Sequence, residues 1–181
     1  RHGARLAGTV PERAPAALLY HRDSDLVLRL QEMPSGPWSH GPFGNVPDAT
    51  NAAYRRALRS AHAAHLACGG IVDLVTVGDA LDGVRLLHVT CAEMLDATAA
   101  EWLRGFVHGG GTLLVEFPFA CRDAASTWVS PQRPAHGLAD LLGCREDQRW
   151  AIHSWQPAAA TFPGGVRLDA RGWYVSLRPC G

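Results

Sequence analysis

The sequence lacks both a net charge and any long apolar run. Seventeen basic residues balance seventeen acidic ones among 181 residues, which argues against a nucleic-acid or an acidic membrane surface as the main partner. Because the apolar runs are only a few residues long, no segment is expected to cross a membrane as a helix. No signal peptide is visible, and the first residue is Arg1 rather than methionine. We therefore expect a fragment whose start lies upstream, with no nucleic-acid and no membrane partner.

The sequence also lacks the pattern of a disulfide framework. Its five cysteines are an odd number, and no two of them have the spacing of a CxxC pair. With 47% hydrophobic residues, the chain has enough apolar side chains to build a core without covalent cross-links. We therefore expect reduced, mostly buried thiols in a cytoplasmic protein.

Short apolar segments alternate with amphipathic helices through most of the chain. Strands are expected at residues 16–20, 72–76, 85–90 and 112–117, and the first clear helix at 51–67. Strands with few polar positions, joined by amphipathic helices, indicate parallel pairing with helices on both faces of the sheet. The pattern predicts a flavodoxin-like α/β domain.

Polar clusters and glycines mark the ends of these elements. The polar residues 21–25 are expected to open a loop after the first strand. Thr98 and Glu101 have the spacing of a capping box at the start of the next helix, with Asp96 as a competing cap. The run Gly109-Gly-Gly111 is typical of a left-handed helix stop. Because it follows a helix and precedes a strand, it is not expected to bind phosphate.

The tail has a different pattern. Short apolar runs at 166–168 and 173–177 alternate with turn-forming residues at 163–165 and 169–172, which predicts short antiparallel strands. Three parts are therefore expected: a linker from a missing upstream domain at residues 1–13, the flavodoxin-like domain at 14–145, and an incomplete β-rich extension at 146–181.

Several segments of the α/β part resemble one family. They are Tyr54-Arg-Arg-Ala-Leu58, Val72-Asp-Leu-Val75, Asp82-Gly-Val-Arg-Leu-Leu87, Leu103-Arg-Gly-Phe-Val107, Gly110-Gly-Thr-Leu113 and Gly137-Leu-Ala-Asp-Leu-Leu-Gly143. In these segments the chain is similar to the middle, trimerisation domain of glycoside hydrolase family 42 β-galactosidases. That domain resembles class I glutamine amidotransferases that have lost their catalytic residues.

The resemblance implies a non-catalytic assembly domain of a β-galactosidase acting in carbohydrate metabolism. The implied partners are further copies of the chain, as a homotrimer, and a catalytic barrel in the parent chain. The barrel itself needs roughly 200 residues or more, so it is not expected within this chain. No catalytic residue, cofactor or metal is expected. Two alternatives stay open, a stand-alone amidotransferase-like hydrolase and a sugar-binding module.

The hydrolase alternative depends on a nucleophilic cysteine. Active relatives of this fold place theirs on a tight strand-to-helix turn beside a histidine. Cys121 follows the strand ending at residue 117, but it lacks flanking glycines, and no His-x-Glu pair follows near the end of the α/β domain. Cys91 follows the preceding strand, again without a glycine elbow. Semi-buried thiols without chemistry are the favoured interpretation for both.

Six residues are candidates for an interface or a ligand contact. Glu93, Glu116 and Asp123 lie near the C-terminal ends of predicted strands, where open α/β sheets bind ligands. Glu93 is expected to be a solvated loop residue, whereas Glu116 and Asp123 are expected to bond backbone groups or face a neighbouring subunit. Asp123 also matches an acidic residue of the family's loop.

Aromatic residues in loops complete the set: Trp38, Phe43 and Trp128. Loop tryptophans can stack on sugars, but they are also common anchors of subunit interfaces, and the resemblance favours interface or interdomain burial. Among nine histidines, His62 and His65 lie on one helix face without a third ligand, so no metal site is expected.

Overall fold

The centre of the molecule is a four-stranded parallel sheet in a computed structural model. The structure describes residues 13–32, 53–123, 128–152, 158–161, 165, 167–170 and 172–180. The sheet contains β1 (Ala16–Leu19), β2 (Val72–Val75), β3 (Leu86–Thr90) and, after the two-residue β4 (Met94–Leu95), β5 (Thr112–Glu116). Its order is β2-β1-β3-β5, and all three pairings are parallel. This is the flavodoxin-like arrangement that the sequence predicts.

Helices cover both faces of the sheet. They are α1 (Arg22–Glu32), α2 (Ala53–Ala67), α3 (Ala97–His108) and the short α4 (Leu138–Leu142). On one face, Leu87 and Val89 of β3 pack with Leu103 of α3 and Leu138 of α4 in the main core. On the other face, α2 buries Tyr54 and Ala61 against the middle strands.

Helix α1 corrects one expectation, because the polar residues 21–25 do not form a loop. The helix begins at Arg22, and both Ser24 and Asp25 are buried. The Ser24 hydroxyl donates to the Met94 carbonyl at 2.9 Å and accepts from the Met94 N–H at 3.0 Å. Arg55 binds the Asp25 carboxylate at 3.2 Å. The polar start of α1 is therefore paired inside the protein and does not need solvent.

Helix α3 begins with the competing cap, Asp96, and ends at the glycine run. The Asp96 side chain accepts a hydrogen bond from the Ala99 N–H at 2.7 Å, so the capping box of Thr98 and Glu101 is not used. The helix stop is as predicted, although Gly110 with φ 92° supplies the left-handed residue and Gly109 does not. Gly111 is required for space, because an added Cβ would meet the ring of Phe106.

Both edge strands of the sheet are partly uncovered on the α2 face. The sequence of β5 is apolar on both faces from Leu113 to Val115, but Leu114 is exposed, as is Glu116. On β2 the equivalent residue is Leu74, which is 62% exposed. The physical reason is that α2 packs mainly over β3, with smaller contacts on β1 and β2, and so leaves β5 and part of β2 uncovered among the described residues.

The tail is β-rich, as expected. After β6 (Arg122–Asp123), which pairs with β4, strand β7 (Cys144–Ile152) pairs antiparallel with β10 (Gly172–Pro179). Between them, β8 (Ala158–Thr161) pairs with β9 (Arg167–Ala170). The predicted turn at 169–172 is too long, because β9 extends to Ala170 and β10 begins at Gly172. The predicted boundary between residues 145 and 146 falls inside β7.

Candidate functional site

The strand order places a topological switch point between β1 and β3. Open α/β sheets bind ligands beyond the carboxyl ends of their strands at such a point. Here the chain leaves β1 through Tyr20 and His21, and it leaves β3 through Cys91. Cys91 has φ 46°, the left-handed conformation of a strand-end elbow. Sequence reasoning missed this elbow because no glycine marks it.

The switch point is filled by Tyr54 of α2. Its hydroxyl accepts a hydrogen bond from the His21 N–H at 2.7 Å and donates to the Leu19 carbonyl at 3.2 Å. The side chain is fully buried, and burial is the main reason that the pKa of Tyr54 lies well above its usual value. The backbone N–H at the start of α1, which could otherwise bind an anion, is therefore already occupied.

Cys91 lies at an elbow of the backbone, but its thiol is not activated as a nucleophile. Burial first, and then the carboxylates of Glu116 and Glu93, raise the pKa of the thiol to about 12. The thiol donates to the Phe117 carbonyl at 3.8 Å. The imidazole of His21, which follows β1, bonds Ser24 at 3.1 Å, and burial lowers the pKa of His21. A neutral thiol is a poor nucleophile, so the arrangement does not favour acyl transfer.

Cys121 belongs to a second cluster, which is an internal ion-pair network. Its sulfur contacts the Arg149 guanidinium and lies 3.5 Å from the Glu146 carboxylate. Burial raises the pKa of Cys121 to about 12, although Arg149 acts in the opposite direction. The Glu146 side chain is fully buried and binds Arg149 at 2.7 Å and Arg133 at 3.2 Å. Cys121 is thus a protonated thiol next to charges that already bind each other.

Glu93 joins the same network, and its expected solvation is wrong. The side chain is 3% exposed and binds Arg122 at 3.0 Å and Arg149 at 3.7 Å. Its carbonyl also accepts the N–H groups of Cys121 and Arg122. A buried carboxylate needs such partners. Because Arg149 comes from β7, far along the chain, no local pattern around Glu93 could have indicated this burial.

Glu116 lies at one end of a row of hydrogen bonds that continues through two histidines, on the face of the sheet that α2 covers. The buried His88 has its Nε2 3.2 Å from the Glu116 carboxylate and its Nδ1 3.2 Å from Nε2 of His65. An ionised carboxylate only accepts, so His88 is assigned its proton on Nε2, and His65 donates to its Nδ1. Burial, His88 and His62 lower the pKa of His65. Glu116 thus bonds a side chain, where a backbone partner was one expectation.

The remaining predicted residues do not converge with these clusters. Asp123 is half-exposed, with its carboxylate 3.9 Å from Nε2 of His136. Trp128 is 80% exposed. Trp38 and Phe43 lie outside the described residues. The structure therefore brings Glu93 and Glu116 close to Cys91 and leaves Asp123 and Trp128 toward the surface.

Two further properties of the described residues bear on the possible chemistry. Within them, no three His, Cys, Asp or Glu side chains are arranged to hold a metal ion. Of the helices in the same part of the chain, none has the length and apolar character to cross a membrane.

Known proteins resemble the chain over almost its whole length. The family model described as β-galactosidase trimerisation domain matches residues 14–181. No curated protein matches the chain.

Solved structures of β-galactosidases share the fold. The enzyme from Rahnella sp. R3 has a TM-score of 0.75 at 18% identity, over 97% of this chain and 25% of that chain. The enzyme from Bacillus circulans sp. alkalophilus has a TM-score of 0.73 at 16% identity, over 92% and 23%. The enzyme from Halorubrum lacusprofundi has a TM-score of 0.68 at 25% identity, over 97% and 24%. The chain thus spans about a quarter of these β-galactosidases.

Proposed function

The chain belongs to the β-galactosidase trimerisation-domain family, and from this premise we propose that it assembles a β-galactosidase without itself hydrolysing sugars. The family match over residues 14–181 is the observation that carries the proposal. The geometry supports it, because Tyr54 fills the switch point where related folds bind ligands. Both thiols near the strand ends, Cys91 and Cys121, have pKa values of about 12.

The proposed assembly is a homotrimer, with a catalytic barrel in the parent chain as the second partner. The matched β-galactosidases are about four times as long as this chain, which leaves room in such proteins for a barrel of roughly 200 residues or more. A cytoplasmic location, expected from the cysteine content, belongs to the same proposal.

Sedimentation velocity of the 181-residue chain over a wide concentration range tests the assembly. We expect a trimer whose population grows with concentration, and no hydrolysis of a chromogenic β-galactoside by the same sample. A chain that stays monomeric at its highest soluble concentration would contradict the proposed assembly. Reproducible hydrolysis by the purified chain would contradict the non-catalytic role.

The two alternatives make different predictions. An amidotransferase-like hydrolase would need a thiolate at Cys121, but burial raises the pKa of this thiol to about 12 despite the neighbouring Arg149. A sugar-binding module would change its tryptophan fluorescence when it is titrated with galactosides, because exposed indoles such as Trp128 would stack on the sugar. We expect no saturable change in that titration.

A further inference from the structure

Two imidazole rings from different elements meet between α2 and the sheet. Nε2 of His65, near the end of α2, lies 3.2 Å from Nδ1 of His88 in the middle of β3. The ring centroids are 5.4 Å apart and the rings are inclined by 61°, so the nitrogens face each other at the ring edges and the rings do not stack. Sequence reasoning paired His65 with His62 of the same helix, whereas the structure pairs it with a histidine of the central sheet.

The separation of these two nitrogens suits a bound transition-metal ion. Zinc binds imidazole nitrogens at about 2.0–2.1 Å. An ion at this distance from two nitrogens 3.2 Å apart sees them at an angle of roughly 103°, close to the tetrahedral angle that zinc prefers. The ring of His65, which is only partly buried, can adjust to direct its lone pair at such an ion.

Glu116 gives His88 the environment of a metal ligand. Nε2 of the buried His88 lies 3.2 Å from the Glu116 carboxylate. Because the carboxylate only accepts, the proton of His88 is on Nε2, and its lone pair is on Nδ1, the nitrogen that faces His65. A carboxylate bonded to the second nitrogen is usual for metal-binding histidines, since it fixes the tautomer and raises the basicity of the ring. His88 therefore already has the tautomer and the orientation of a ligand.

A single proton of His65 lies between the two rings. With Nδ1 of His88 as the acceptor, Nε2 of His65 must donate. A metal ion would take the place of this proton, which would move to Nδ1 of the same ring, so no net proton is released near neutral pH. Burial, His88 and His62 lower the pKa of His65, which favours the neutral ring that a metal ion requires.

An ion can reach these nitrogens from solvent. His65 is only partly buried, and Glu116, on the edge strand β5, has 47% of its side chain exposed. In the part of the chain that the structure describes, no third His, Cys, Asp or Glu is placed to complete the site. Water would therefore fill the other coordination positions, and binding should be weaker than at a structural zinc site with four protein ligands.

We infer that His65 and His88 form a binding site for a divalent transition-metal ion such as zinc, with Glu116 bonded behind His88. Imidazole nitrogens are suitable ligands for such ions. The inference does not depend on the proposed assembly, because both ligands and the carboxylate belong to one copy of the chain. The ion would connect the end of α2 to the central sheet. Because it binds this folded arrangement, it should raise the stability of the domain.

Calorimetric titration of zinc chloride into the 181-residue chain near neutral pH tests the site. We expect one saturable site per chain and a Tm that rises with zinc concentration. His65→Gln is the main variant, because its side chain is only partly buried and the variant should fold, which circular dichroism would verify. It should abolish the saturable binding. Glu116→Gln should weaken binding at least about tenfold, as the loss of such an outer partner does.

Two controls separate this site from zinc binding elsewhere on the surface. His108→Gln removes an exposed histidine at the end of α3, and Cys68→Ser removes an exposed thiol that follows α2. Both variants should bind zinc as the unmodified chain does. Magnesium chloride should not compete with zinc, because magnesium prefers oxygen ligands.

Nitrogen–proton correlation spectra of the histidine rings give a second readout, which needs no variant. On addition of zinc, the ring proton of His65 should move from Nε2 to Nδ1, whereas that of His88 should stay on Nε2. The assignment is overturned if zinc does not bind, if it binds without this change, if His65→Gln binds it normally, or if either control abolishes binding. A chain that binds zinc in this way but stays monomeric would contradict only the proposed assembly.

Discussion

Breaking the buried ion-pair network around Glu146 should strongly destabilise the domain, because it leaves buried charges without a partner. The network joins the loop after β3, strand β6 and strand β7 through Glu93, Arg122, Glu146 and Arg149. The perturbation is Glu146→Gln, which keeps the size of the side chain and removes its charge. Arg149 and Arg133 then lose their shared carboxylate in a site where the side chain has no solvent exposure.

The magnitude follows from burial. Removing one partner of a buried pair costs about 3–5 kcal/mol, and the lower end applies here because Glu93 still lies 3.7 Å from Arg149. For a domain of this size, 1 kcal/mol shifts Tm by roughly 2–4 °C. A loss of about 3 kcal/mol should therefore lower Tm by roughly 6–12 °C.

Thermal unfolding followed by circular dichroism measures the shift, with Glu101→Gln as the matched control. Glu101 pairs with Arg104 on α3, but its side chain is 72% exposed. Exposed pairs contribute at most about 1 kcal/mol, so the control should lower Tm by no more than roughly 4 °C. If Glu146→Gln costs no more than Glu101→Gln, the network does not stabilise the junction of β7 with the α/β part, and the argument fails.

Three other predictions follow from the thiols and from Tyr54. Because the pKa values of Cys91 and Cys121 are about 12, their thiolate fraction at neutral pH should be about a thousandfold below that of an ordinary cysteine. Iodoacetamide should therefore label the exposed Cys68 first. Fast labelling of Cys121, detected by mass spectrometry, would instead support a hydrolase. Above pH 9 the unfolded chain releases these two thiol protons, whereas the folded state keeps them. The free energy of unfolding should therefore fall as pH rises from about 9 toward 12. Urea titrations that show constant stability across this window would contradict the raised pKa values. Tyr54→Phe leaves the His21 N–H without its acceptor at 2.7 Å and should cost about 1–3 kcal/mol, measured by urea unfolding; an unchanged midpoint would show that the hydroxyl is not needed there.

The elements that could be predicted are those whose pattern is local. Helix α2 and the four sheet strands follow from their apolar spacing, and the parallel pairing of the strands follows from their few polar positions. Helix α1 could not be predicted, because the polar residues that begin it are buried by partners distant in sequence, Met94 and Arg55. The buried Glu93 escaped prediction for the same reason, since its partner Arg149 lies on β7.

The switch point keeps the topology of a ligand-binding fold, but hydrogen bonds from Tyr54 occupy it. Cys91 retains a left-handed elbow, and its N–H donates to the Glu116 carbonyl at 3.1 Å while its carbonyl accepts from the Glu93 N–H at 2.8 Å. The backbone is therefore held by bonds that do not depend on any ligand. A left-handed non-glycine residue costs about 1–3 kcal/mol, which the surrounding structure must offset. Here part of the offset comes from these two backbone hydrogen bonds, while burial first, and then the carboxylates of Glu116 and Glu93, raise the pKa of the Cys91 thiol and keep it protonated. Because backbone hydrogen bonds hold the Cys91 elbow while its thiol is buried and protonated, the strand end keeps the shape of an elbow without a reactive thiolate.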